Sequence, residues 1–138
     1  MTLPASARTL LESDALAHLV TLNPDGTPQV TCIWVGLDGD EIVSGHLFAT
    51  QRKLQNVRRD PRVVLSVEGT VVNEWGLREY LVVHGRARLT EGGAALLQRL
   101  AHTNLGPDVT FPRLPGPPPG SVMHVAVDRV GGVGPWAG

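Results

Sequence analysis

The sequence predicts a mainly β protein of α+β character, a small barrel of about six antiparallel strands with two or three short helices. Two observations carry that expectation. Turn signals at Asn23-Pro24-Asp25-Gly26 and Asp38-Gly39-Asp40 follow one another before any long helical stretch. Such consecutive hairpins favour antiparallel pairing over a doubly wound sheet. Elsewhere the chain mostly alternates on a two-residue period or runs through β-branched residues, and helical spacing is confined to short windows. A length of 138 residues fits one domain, 1–138, with one core.

Residues 5–13 are a short helix candidate, with Leu10 and Leu11 turned to the core, and 15–22 read as the first strand. Past the first turn, 29–37 alternate Gln29, Thr31 and Ile33 against Val30, Cys32 and Trp34, a second strand. The second turn leads into a strand over 41–47. A helix at 51–59, with Leu54 and Val57 inward, stops before Pro61, because a residue preceding proline is pushed out of the helical region. Strands follow at 62–69, rich in Val63, Val64 and Val67, and at 78–89, centred on Leu81, Val82 and Val83. Thr90 and Glu91 open a helix to about Thr103 with Leu96, Leu97 and Leu100 as its stripe, weakened by Gly92 and Gly93. The proline-rich stretch 105–120 is a loop, either a lid over a site or a stiff connection. The last strand is 121–130, and the glycine-rich tail 131–138 reads as irregular.

Composition bounds the function. Hydrophobic residues make up 42% and charged residues 18%, a globular balance. A net charge of -1 argues against a general nucleic-acid binder. No basic segment leads into an apolar h-region, and no apolar run approaches the ~20 residues that cross a bilayer, so a cytoplasmic location without membrane association is expected. Cys32 is the single cysteine and reads as a buried, inert thiol in a strand. The histidines, His18, His46, His84, His102 and His124, lack ligand spacing, so no metal site is expected. No Gly-x-Ser-x-Gly elbow, Walker loop, dinucleotide fingerprint or carboxylate pair is present.

One placement conflicts with helix electrostatics. Arg52 and Lys53 follow a Ser/Thr-type cap at Thr50, where the partial positive charge of a helix start disfavours cations. A phosphate on the open N–H groups, clasped by both side chains, removes the conflict; a solvated surface pair is the competing reading. Arg58, Arg59 and Arg62 read as a solvated face, the first two in a last turn that welcomes cations. An anion site without acid–base machinery is what remains when a cofactor carries the chemistry.

The order of elements resembles the split β-barrel flavin and deazaflavin proteins related to pyridoxamine 5′-phosphate oxidase. The motifs are Asp25-Gly26-Thr27-Pro28-Gln29-Val30, then Arg52-Lys53-Leu54-Gln55-Asn56-Val57-Arg58-Arg59-Asp60-Pro61-Arg62-Val63, then Gly132-Val133-Gly134-Pro135-Trp136. The short chain and the Gly-Pro-Trp ending resemble the F420-dependent branch. An arginine-bearing substrate motif of the longer oxidases is missing, which places phosphorylated B6 substrates in doubt. The resemblance implies a homodimer with cofactor clefts at the subunit interface and an oxidoreductase that passes hydride from reduced coenzyme F420 to an unsaturated small molecule. FMN is the alternative cofactor, and a non-catalytic flavin- or haem-binding module is the alternative class. Carried over by position, Lys53 is the phosphate-binding lysine, flanked by Thr50, Gln51 and Arg52. Gln29, Val30 and Thr31 belong to the strand that lines the ring, and His46 is a cofactor contact. Trp75, Tyr80 and Trp136 are candidates for the partner subunit's contribution, with ordinary core or interface packing as the other reading.

Overall fold

The computed structural model describes residues 1–137. Helix α1 (Ala5–Leu11) precedes strands β1 (Ala17–Leu22), β2 (Pro28–Ile33), β3 (Gly36–Asp38) and β4 (Glu41–His46). Helix α2 (Arg52–Arg59) leads into β5 (Arg62–Val72) and β6 (Arg78–Glu91), and α3 (Gly93–Asn104) is followed by β7 (Ser121–Val133). All pairings are antiparallel, in the order β2-β1-β5-β6-β7-β4-β3.

There are seven strands rather than six, because the run expected as one strand over 29–37 is two. β2 pairs with β1 at one edge of the sheet and β3 pairs with β4 at the other. Only Trp34 and Val35 separate them, and three residue steps span at most about 11 Å. The two edges therefore meet at this corner, and the sheet curls into a barrel whose seam is bridged by the chain itself rather than by a ladder.

Alternation supplies the core. Leu19, Leu65, Val67, Leu81, Val83, Met123 and Val125 point inward, joined by Leu11 of α1 and Leu54 and Val57 of α2. Each fully buried Leu contributes roughly 1.5–3 kcal/mol relative to exposure. α3 packs outside, laying Leu96 and Leu100 on Val43 of β4. Its approach is close: a Cβ on Gly45 would meet Gly93 O at 2.6 Å and Leu97 Cγ at 2.8 Å.

Several boundaries depart from the sequence reading. Thr90 and Glu91 do not open α3. They end β6, paired with Val122 and Ser121, and Gly92 at φ 108 makes the turn into the helix. Residues 131–133 are not irregular but extend β7 against Tyr80–Val82. Gly132 tolerates this at φ 95, where a Cβ would lie 2.2 Å from Tyr80 O. Cys32 is exposed, not buried, because the inward face of β2 is that of Thr31 and Ile33.

Candidate functional site

The end of β4, the loop after it and the start of α2 form one wall of a cleft of ≈ 250 Å³. His46, Gln51 and Lys53 line it, together with Trp34, Leu47, Phe48, Leu97 and Phe111. Trp34 stands at the barrel corner and meets Phe111 edge-on, with ring centroids 5.0 Å apart. Phe111 belongs to the proline-rich loop, which α3 pins from above: Phe111 N donates to Gln98 Oε1 at 3.0 Å and Gln98 Nε2 donates to Val109 O at 2.9 Å. The loop thus contributes a fixed aromatic wall.

α2 begins at Arg52, with Gln51 as its N-cap and no side-chain cap bond. Thr50 is not the cap but lies exposed one residue earlier. The first turn holds no acidic residue, and the first amide to find an acceptor is that of Leu54, on Gln51 O at 3.1 Å. Among the described residues neither Arg52 nor Lys53 has an ion pair. Lys53 is half-buried, and desolvation pushes its ammonium below the usual lysine range. Arg52 is exposed and helps hold the Asp25 carboxyl low, behind the larger effect of the Thr27 hydrogen bonds.

His46 is 3% exposed and shares a 2.7 Å hydrogen bond with Ser44 through Nε2. Burial, with the Lys53 charge added, lowers its pKa to about 3, so the ring is neutral at physiological pH. A neutral imidazole has no ready proton to release, so it serves as a hydrogen-bonding group rather than an acid. Gln51 Oε1 and Thr31 Oγ1 are sealed from solvent without partners. Gln51 lines the cleft, whereas Thr31, on the inward face of β2, does not.

The remaining sequence candidates fall elsewhere. Gln29 Oε1 accepts from buried Thr21 at 3.1 Å, within a network that runs to Asn56 under α2. Val30 is 59% exposed on the outer face of β2, Trp75 78% exposed at the tip of the β5–β6 hairpin, and Tyr80 also outward. Trp136 is packed in its own chain's core and donates from Nε1 to Tyr80 O at 3.2 Å. Of the other arginines, Arg62 is bound to Asp60 at 2.7 Å, Arg58 reaches Ala49 O at 3.2 Å and Arg59 reaches Leu22 O. Arg58 and Arg59 brace α2 and Arg62 holds the residue that follows it, while all three stay exposed, the solvated face the sequence predicts. The sequence reading missed Trp34, Phe48, Leu97 and Phe111, which only the barrel corner, α3 and the pinned loop bring together.

A half-buried lysine without an ion pair among the described residues and the open amides at the start of α2 fit an anionic ligand, and the aromatic wall fits a flat ring. No helix among the described residues is long and apolar enough to cross a membrane.

Residues 3–134 match the family model described as pyridoxamine 5′-phosphate oxidase. A solved F420 reductase is 26% identical, with a TM-score of 0.76 over 94% of this chain and 98% of that one. A conserved hypothetical protein from Mycobacterium tuberculosis is 23% identical, with a TM-score of 0.69 over 94% and 83% of the two chains. General Stress Protein 26 from Bacillus anthracis is 15% identical, with a TM-score of 0.62 over 91% and 88%. The last two likenesses concern the fold alone. No curated protein matches the chain.

Proposed function

The chain belongs to the pyridoxamine 5′-phosphate oxidase family, and from that premise we propose that it is an F420-dependent oxidoreductase acting on an unsaturated small molecule. The observation that carries the reading is Lys53: half-buried, without a carboxylate partner among the described residues, at the open start of α2 and on the wall of an aromatic cleft. Likeness to an F420 reductase supports the choice of coenzyme. When bound, the deazaflavin supplies a two-electron hydride. The chain's own residues then bind, orient and exclude water. Lys53 and Arg52 hold the phosphate with the amides at the start of α2, and Gln51 offers a polar contact beside them. Trp34, Phe48 and Phe111 wall the ring from water, and His46 gives it a neutral polar contact. Neutral His46 is a poor acid, which favours solvent over this ring as the source of the proton that completes a reduction.

A homodimer is part of the proposal. On the outer face of the sheet Val30, Val20 and Val64 share one cross-strand row that ends on His84 of β6. Val30 is 59% exposed at the end of this row, an apolar surface that a partner would cover. The row adjoins the cleft at Cys32 and Leu16, so a partner seated there would complete it; Trp75 and Tyr80 are proposed as that partner's contribution.

FMN is the second reading, favoured by one observation. Arg58 and Arg62 are engaged by Ala49 and Asp60, which leaves Lys53 on the cleft wall and exposed Arg52 beside it at the start of α2 as cations without an ion pair among the described residues, enough for one phosphate. Parallel fluorescence titrations of the purified protein with F420 and FMN test both. Tighter F420 binding upholds the proposal, tighter FMN binding replaces the coenzyme, and binding of neither removes it.

A further inference from the structure

We propose that Ser44 is a positioning residue that fixes His46 as the neutral Nδ1–H tautomer and aims that N–H into the cleft as a donor for a carbonyl oxygen. The inference rests on the functional reading above for its ligand, but its first step concerns the protein alone.

Ser44 lies on β4 two residues before His46, so both side chains leave the same face of the strand. Ser44 is 2% exposed, and its hydroxyl has one partner among the described residues, His46 Nε2 at 2.7 Å. A hydroxyl carries one proton, and a buried one left without an acceptor costs about 1–3 kcal/mol. If Nε2 carried the ring proton and donated to Oγ, the hydroxyl proton would be stranded. The hydroxyl therefore donates to Nε2, and the single proton of the neutral ring resides on Nδ1. The geometry of the pair is what chooses the tautomer.

Among the described residues Nδ1 has no acceptor, yet it is not one of the sealed orphan atoms, which are Thr31 Oγ1, Gln51 Oε1 and His124 Nδ1. His46 lines the cleft, so its free edge opens there. The strand cannot carry the ring away: Gly93 and Gly120 come so close to His46 O that a Cβ on either would lie 2.6 Å and 2.3 Å from it. A rigid backbone, a hydroxyl lock and a neutral N–H beside a cation form a site for an electron-rich oxygen. Carbonyls of that kind occur on the flavin-type ring and on an enone substrate alike.

Long-range proton–nitrogen correlation spectra of histidine-labelled full-length protein read the ring directly, with H46Q assigning the signal. In the ligand-free protein at pH 7 the ring should be neutral with its proton on Nδ1, and S44A should redistribute it between both tautomers. Adding oxidised F420 should shift the Nδ1 proton if the ring carbonyl is the acceptor. A shift only when cyclohexenone is added to the loaded protein assigns the acceptor to the substrate. S44A should weaken whichever ligand causes the shift by about fivefold, the loss of one hydrogen bond. A ring protonated on Nε2, an imidazolium, an S44A spectrum with the tautomer unchanged, or nitrogens that neither ligand moves overturns the proposal. If neither F420 nor FMN binds, the functional reading fails, while the free protein's tautomer still upholds or overturns the role of Ser44.

Discussion

Replacing His46 by glutamine should flatten the acid dependence of this protein's stability. In the unfolded chain the imidazole takes a proton near its ordinary 6.5, whereas the folded ring resists until about 3, because burial and then Lys53 disfavour the cation. Between those values the unfolded state binds more protons, so stability falls as pH falls. At pH 5 the wild type should have lost about 2 kcal/mol through this residue, since each pH unit below the unfolded pKa is worth about 1.36 kcal/mol. That figure hardly depends on the folded value, provided it lies well below 5. Urea unfolding of wild type and H46Q between pH 7.5 and pH 4 isolates the residue, because every other group cancels in the difference. The two curves should converge as the medium is acidified. Parallel curves would show that the folded ring titrates normally and that the buried, neutral His46 described above is wrong.

Lys53→Ala should weaken binding of F420, or of FMN, by about tenfold or more, the worth of one charge-assisted hydrogen bond. Thermal melting of the same ligand-free variant should show no loss, because Lys53 has no ion pair among the described residues to break; unchanged affinity would remove Lys53 from the site. Asn56→Ala should cost about 2–4 kcal/mol in urea unfolding, since its buried amide donates to Thr21 Oγ1 at 3.0 Å and Asn23 Oδ1 at 3.2 Å. A cost below 1 kcal/mol would mean that water replaces both bonds. Gly45→Ala should destabilise by about 1–3 kcal/mol by lifting α3 from β4. Because Leu97 moves with that helix, cofactor titration should show weaker binding; an unaffected variant would show that the cleft wall does not depend on this contact.

The sequence made α2 legible because its conflict is local: two cations opening a helix can be read from six consecutive residues. His46 was reached only through the family resemblance, and the burial that makes it neutral arises from packing. Trp34 and Phe111 are 77 positions apart, and no periodicity links them. They meet because β2 and β3 occupy opposite edges of the sheet, which turns Trp34 into a corner residue, and because Gln98 pins the loop that carries Phe111. The same corner explains the missed strand, since the alternation runs on while the pairing partner changes from β1 to β4. The extension of β7 through Gly131 and Gly132 was hidden for another reason: glycine density signals irregular chain, whereas here it permits close approach to Tyr80. Lys53's position was legible as a question, and the cleft that it lines is visible only in three dimensions.

A crystal structure of the protein with F420 bound tests the central claim most directly. The coenzyme phosphate should lie at the start of α2, about 3 Å from Lys53 Nζ and from the first free amides of the helix, with the ring against Trp34 and Phe111. A phosphate seated elsewhere, with Lys53 turned to bulk solvent, would contradict the account.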